Sequence, residues 1–130
     1  QKKDITIDVL SAEGVVYADP RLLGQAVQNL LSNALKFSPA GTHVQAWAEI
    51  IDNQVAINVV DQGPGIPAPE RSQLFEMFRQ LTPRSTQGEN GHGLGLWIVR
   101  ELTELMGGHV GYAPVPRGGS MFSLYLPLHE

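Results

Sequence analysis

The sequence predicts an α+β fold in which one sheet, built from mostly hairpin-connected strands, carries helices on one face. Two observations dominate. Apolar residues recur at helical spacing over two long stretches, about 20–37 and 94–106, while shorter stretches around them alternate with a period of two. The strand-like stretches at 43–51 and 54–60 are separated by only two residues, the spacing of an antiparallel hairpin.

Taken in order, residues 4–10 set Ile5, Ile7 and Val9 on one side of a half-buried strand. Glu13-Gly14 turns the chain into a second short strand at 15–18. Asp19-Pro20 reads as a helix cap followed by proline at the first helical position. Leu22, Leu23, Ala26, Val27, Leu30, Leu31, Ala34 and Leu35 then form a broad apolar stripe that stops before Ser38-Pro39-Ala40-Gly41. After the hairpin turn at Asp52-Asn53, residues 66 to about 79 hold short helical pieces around Leu74-Phe75-Glu76-Met77-Phe78. Residues 80–92, polar and carrying Pro83, Gly88 and Gly91, read as a mobile loop. The second long helix stops at Gly107-Gly108, and strands near 110–112 and 121–126 close the chain.

The chain has 130 residues, 42% of them hydrophobic and 17% charged, which fits one domain with a real core. A net charge of −4 argues against a general nucleic-acid surface, although local cations and helix amides can still hold phosphate. No cysteine is present, so thiolate catalysis, disulfides and cysteine zinc sites are excluded. No apolar run approaches the ~20 residues of a membrane span, and no signal-peptide pattern opens the chain. The absence of an initial methionine suggests a piece of a longer protein.

Three motifs carry chemistry. In the first helix, Gln25, Asn29, Asn33 and Lys36 fall within roughly 80° of one another, beside the apolar stripe. Such a strip is either a solvated face or one side of a ligand cleft. In the second case Asn33 would ligate Mg²⁺ through its amide oxygen and Lys36 would meet phosphate as a point charge. In the second motif, Asp61-Gln62-Gly63-Pro64-Gly65, a carboxylate stands at a strand end before two glycines. It is either an ordinary turn or an acceptor for an exocyclic amino group, which would favour adenine. Third, Gly91-His92-Gly93-Leu94-Gly95-Leu96 opens a helix whose unpaired first amides can bind phosphate. It is neither a Walker loop nor a dinucleotide fingerprint, and His92 reads as a loop residue. Leu74–Phe78 is a core-facing turn or a site border. Arg79 and Arg84, flanking the start of the polar loop, are placed to reach a terminal phosphate as bidentate donors.

Assembled, these residues resemble the catalytic and ATP-binding domain of sensor histidine kinases, within the group that includes DNA gyrase B subunits, mismatch-repair ATPases and ninety-kilodalton heat-shock chaperones. Residues 29–37 look like the family's N box, Asp61 to Gly65 like its G1 box, 74–78 like its F box and 91–96 like its G2 box. Gly118-Gly119-Ser120-Met121-Phe122 through Leu126-Pro127 resembles its last hairpin. The resemblance implies a two-layer α/β sandwich of the Bergerat type, with a mixed, mostly antiparallel sheet. ATP would lie between the helices under a lid at about 80–92.

By the same resemblance Asn33 would carry Mg²⁺, and Asn29 and Lys36 would contact phosphates. Phe37, Ile66 and Phe78 would border the nucleotide, Asp61 would hold the adenine amino group, and Ser120 would assist through water. Gly63 and Gly65 would admit the base, while Gly91, His92, Gly93, Leu94, Gly95 and Leu96 would close on the phosphates. Asn29, Lys36 and Arg79 would act on the transferring phosphate. Two departures stand out: Phe37 where tyrosine is frequent, and His92 where a small hydroxyl residue is usual.

In the hydrolysing relatives a glutamate stands four residues before the metal asparagine and activates water. Here that residue is Asn29, an amide that cannot take the proton, so phosphotransfer fits better than hydrolysis. The acceptor histidine is expected on a dimerisation domain of the same protein, before Gln1, because His43, His92, His109 and His129 lack the acceptor motif. A response regulator would be the indirect partner, and the isolated domain is expected to be monomeric. The domain itself would lie in the cytoplasm, without inserting into a membrane, even if its parent protein is anchored. The competing expectations are a regulatory or pseudokinase nucleotide-binding module and an ATP-hydrolysing clamp.

Overall fold

The computed structural model describes residues 6–10, 18–75, 95–116 and 118–128. Along the chain these form β1 (Thr6–Leu10), α1 (Pro20–Phe37), β2 (His43–Ile51), β3 (Gln54–Asp61), a 3-10 helix (Ala68–Gln73), α2 (Gly95–Leu105), β4 (His109–Pro114) and β5 (Ser120–Pro127). The sheet order is β1-β2-β3-β5-β4, with β1 parallel to β2 and every other pairing antiparallel. This is the mixed, mostly antiparallel sheet the resemblance implied. A parallel pair needs a crossover connection, and α1 lies within the one that joins β1 to β2.

Local chemistry sets the bounds of α1. Asp19 stays extended and its Oδ1 accepts the Arg21 N–H at 2.9 Å, while Pro20 supplies a pre-set first residue. That backbone bond, helped by the Arg21 guanidinium, holds the Asp19 carboxyl below its ordinary range. At the other end Ser38 turns extended and donates its hydroxyl to the Ala34 carbonyl at 2.7 Å. Ala26, Leu30 and Ala34 are fully buried along one face, with Leu23, Val27, Leu31 and Leu35 packed beside them. They meet Val44 and Ala46 of β2, Val59 of β3, Phe122, Leu124 and Leu126 of β5, and Val99 of α2 in one core cluster.

Period-two alternation in β3 sends Val59 and Asp61 to the helix side and Asn58 to the other. Asn58 is nevertheless buried. Its Nδ2 donates to Glu49 Oε2 at 2.9 Å, which also accepts the Trp47 indole N–H at 3.1 Å, and Ser123 Oγ donates to Asn58 Oδ1. This polar tile ties β2, β3 and β5 together on the side away from the helices.

The hairpin joins Ile51 to Gln54 across two residues, with Asp52 in the left-handed region at φ 55, a conformation aspartate tolerates. Within the stretch from 66 to about 79 expected to hold short helical pieces, the described part is the 3-10 helix Ala68–Gln73, followed by Leu74 and Phe75 in a turn. Proline at Pro67 sets its start, and bonds of three-residue spacing from Glu70 to Pro67 and from Leu74 to Arg71 make it 3-10. Residues 76–78, the loop at 80–92 and all of the strand expected at 15–18 except Ala18, which is not in a strand, lie outside the described residues. Among the described residues no helix is long and apolar enough to cross a membrane.

Candidate nucleotide-binding site

Strand β3 ends at Asp61, which pairs directly with Ser120, the first residue of β5. Both are buried, with 1% and 0% of their surface exposed. Asp61 Oδ1 accepts the Gly63 N–H at 2.9 Å, so the carboxylate shapes the turn that follows it. Its other oxygen, Oδ2, is buried as well. The motif is therefore a turn that also places an acid in the interior, where carboxylates are rarely found without a task.

The turn packs backbone to backbone against the β4–β5 connection. Gly119, at φ 108, approaches so closely that a Cβ there would overlap the Asp61 carbonyl oxygen, and a Cβ on Gly65, at φ 81, would meet the Gly119 oxygen at 3.4 Å. Ile66, 3% exposed, follows at once. Its N–H donates to the Tyr112 hydroxyl at 3.3 Å, and its carbonyl accepts from Arg71 Nε at 3.0 Å. The Tyr112 hydroxyl also lies 3.3 Å from Ser120 Oγ. Asp61, Gly63, Gly65, Ile66 and Ser120 are thus brought together at one end of the sheet.

Helix α1 comes to the same end. Only four residues separate Ser38 from the start of the β2 ladder beyond it, and the His43 N–H donates to the Gln62 side chain at 2.9 Å. Asn29, Asn33 and Lys36 are half-buried along α1, whereas Gln25 is exposed. Asn33 Nδ2 is fully buried and has no hydrogen-bond partner among the described residues. A buried amide end left in this state costs about 1–3 kcal/mol, so a hydrogen-bond acceptor beyond the described residues is the expected resolution. Such a carboxamide also offers the hard oxygen that Mg²⁺ takes, and the residue therefore fits that role.

The remaining expectations are placed as follows. Gly95 opens α2 and is exposed, and Leu96 is buried in the core. Phe37 closes α1, with its side chain outside the described set, and Phe78, Arg79, Arg84, Gly91, His92, Gly93 and Leu94 lie outside it entirely. Sequence reasoning missed Tyr112, Arg71 and Gly119 as parts of this site. Gly119 had a signal, the Gly118-Gly119 doublet directly before a strand. Tyr112 had none, because alternation gives the face of a strand residue and not what its hydroxyl meets.

Residues 18–130 match the family model described as Histidine kinase-, DNA gyrase B-, and HSP90-like ATPase. The chain is 39% identical over 131 residues to the sensor histidine kinase TmoS of Ectopseudomonas mendocina, covering 99% of this chain and 14% of that protein. The mycobacterial sensor histidine kinase MprB superposes with a TM-score of 0.84 at 37% identity, over 97% of this chain and 85% of the solved one. Full-length ShkA, solved in complex with AMPPNP, superposes with a TM-score of 0.75 at 36% identity, over 96% of this chain and 25% of that one. The chain thus spans about a seventh of the length of TmoS.

Proposed function

Since the chain belongs to the histidine kinase-, DNA gyrase B- and HSP90-like ATPase family, we propose that it binds Mg²⁺-ATP and donates the γ-phosphate to a histidine on a separate domain of the same protein. The observation that carries this reading is the buried Asp61–Ser120 rung at the end of β3 and β5, closed over by the Gly63–Gly65 turn. A buried carboxylate beside a buried hydroxyl reads a base edge, and glycine backbone lets a flat ring approach. That full-length ShkA, a quarter of which superposes on this chain, was solved in complex with AMPPNP, an ATP analogue, supports the choice of nucleotide.

Each residue then has a task. Asp61 accepts the adenine amino group, and Ser120 completes the edge directly or through a water. Ile66 lines the base. Asn33 is the residue that would hold Mg²⁺, with nucleotide oxygens and water completing the shell, and the ion would neutralise charge on the phosphates. Among the described residues no cluster of His, Asp and Glu could hold a metal by itself, which suits an ion delivered with its nucleotide. Lys36 and Arg79 would contact phosphate, as would the amides around Gly93 and Gly95. Asn29 positions phosphate without acting as a base, because an amide does not take a proton from water at neutral pH. Phosphate is therefore passed to a protein nucleophile rather than to solvent.

The unit acts as one catalytic domain in the cytoplasm, with its acceptor domain elsewhere in the parent protein. Incubation with γ-labelled ATP and a supplied acceptor domain tests the reading. Label should reach the acceptor, with little free phosphate released, and Asn33→Ala should abolish the transfer. Tight ATP binding without transfer, in a properly paired full-length protein, would replace it with a regulatory module. Steady phosphate release by the domain alone would replace it with an ATP-driven clamp.

A further inference from the structure

Beneath the Asp61 turn, the Ile66 amide, the Tyr112 hydroxyl and the Ser120 hydroxyl form a short polar chain with a definite direction. A backbone N–H can only donate, so the Tyr112 hydroxyl is its acceptor at 3.3 Å. That hydroxyl has one proton of its own, and Ser120 Oγ stands 3.3 Å away. The spacing admits either hydroxyl as donor, but accepting from an amide makes a hydroxyl a better donor, which favours the direction from Tyr112 to Ser120 Oγ. With Tyr112 as donor, the serine proton is left to turn away from Tyr112, toward the strand whose Asp61 pairs with Ser120.

We propose that Tyr112 is a specificity-determining positioning residue that fixes the Ser120 hydroxyl as a hydrogen-bond donor next to the Asp61 acceptor. The proposal rests on the ATP-binding reading above. An acceptor beside a donor complements the 6-amino group and N1 of adenine, met directly or through one water. Guanine and hypoxanthine present a carbonyl and an N1–H at these places and are mismatched at both. The ring itself is held firmly. It packs against Phe122 with centroids 5.2 Å apart, and Arg71, bonded to the Ile66 carbonyl, lies 5.8 Å above its centre.

Calorimetric titration with ATP and with 1-deaza-ATP, in which N1 is replaced by C–H, tests this directly. The wild-type chain should prefer ATP by about tenfold, Ser120→Ala should lose the preference, and Tyr112→Phe should reduce it to about threefold or less. Tyr112→Phe keeps the ring and its packing, and thermal unfolding monitors its fold. A Tyr112→Phe chain that binds both nucleotides more weakly by one common factor, with the preference intact, overturns the proposal and leaves Tyr112 a clamp on Ile66. A wild-type chain with no preference between the two nucleotides overturns it as well. Failure of the wild-type chain to bind ATP at all removes the ATP-binding reading itself, and this proposal with it.

Discussion

Gly119 sits against Asp61 so tightly that the carbonyl oxygen of Asp61 occupies the space a side chain at position 119 would need. Alanine there must displace backbone, and it must also adopt φ 108, a region that disfavours any residue with a Cβ. Gly119→Ala should therefore lower unfolding free energy by about 1–3 kcal/mol, read by urea denaturation. ATP affinity should fall more than global stability alone explains, because Asp61 moves.

Asn33→Ala should separate stability from function. The substitution removes a buried amide that has no partner among the described residues and puts a better helix former in α1. Stability should rise by about 1 kcal/mol, while Mg²⁺ ceases to improve ATP affinity. Titrations with Mg²⁺ and with chelator should then superimpose. A loss of stability on substitution would show that the wild-type amide is satisfied after all.

Asp61→Asn keeps the size of the side chain but puts an amide where a charge-assisted acceptor stood. ATP affinity should drop on the order of tenfold to a hundredfold, measured by calorimetry. An unchanged affinity would move the base edge elsewhere.

The cap at Asp19 predicts a pH dependence. Its carboxyl is held below the ordinary value mainly by the Arg21 N–H, so the folded state favours the ionised form. That contribution is complete above the unfolded value, about pH 4, and fades as pH falls through the lower folded value. Asp19→Asn retains an acceptor for the Arg21 N–H but does not titrate. The stability difference between wild type and this variant should be flat near neutrality and shift against the wild type in acid, as thermal scans across pH would show.

Asn58 joins three strands through Glu49 and Ser123. Asn58→Ala should cost about 2 kcal/mol by stranding the Ser123 hydroxyl. The double variant with Ser123→Ala should cost less than the sum of the singles, again read by denaturant titration.

How far the sequence reached depended on whether the deciding interaction was local. The bounds of α1 were legible because Asp19-Pro20 and Ser38-Pro39 act within a turn of the helix they delimit. The β2–β3 hairpin was legible for the same reason. By contrast, alternation in residues 4–10 could not say that β1 runs parallel to β2, since that pairing is made across the whole of α1. The short helical pieces expected from 66 to about 79 are met by the 3-10 helix at 68–73, whose start is marked locally by Pro67, while residues 76–78 lie outside the described residues. At the candidate site, the pattern of an acid between a strand and two glycines singled out Asp61 but left a plain turn and a ligand acceptor equally open, and only the family resemblance chose between them. The role of Tyr112 depends on a hydroxyl meeting an amide forty-six residues away in sequence, and no pattern encodes that.

The pairing of Asp61 with Ser120 has one more consequence, for how such a chain can change over time. Between them the glycine turn, the 3-10 helix and α2 lie outside the sheet, and β4 rejoins it at the edge beside β5 before the chain returns to this one rung. The ends of that excursion are pinned by the β3–β5 ladder whatever its length. Doubling a closed loop adds only about 0.6 kcal/mol of closure entropy. Insertions and deletions in the connections of that excursion can therefore accumulate without shifting the register that keeps Asp61 opposite Ser120, so this rung can be inherited while the connections diverge.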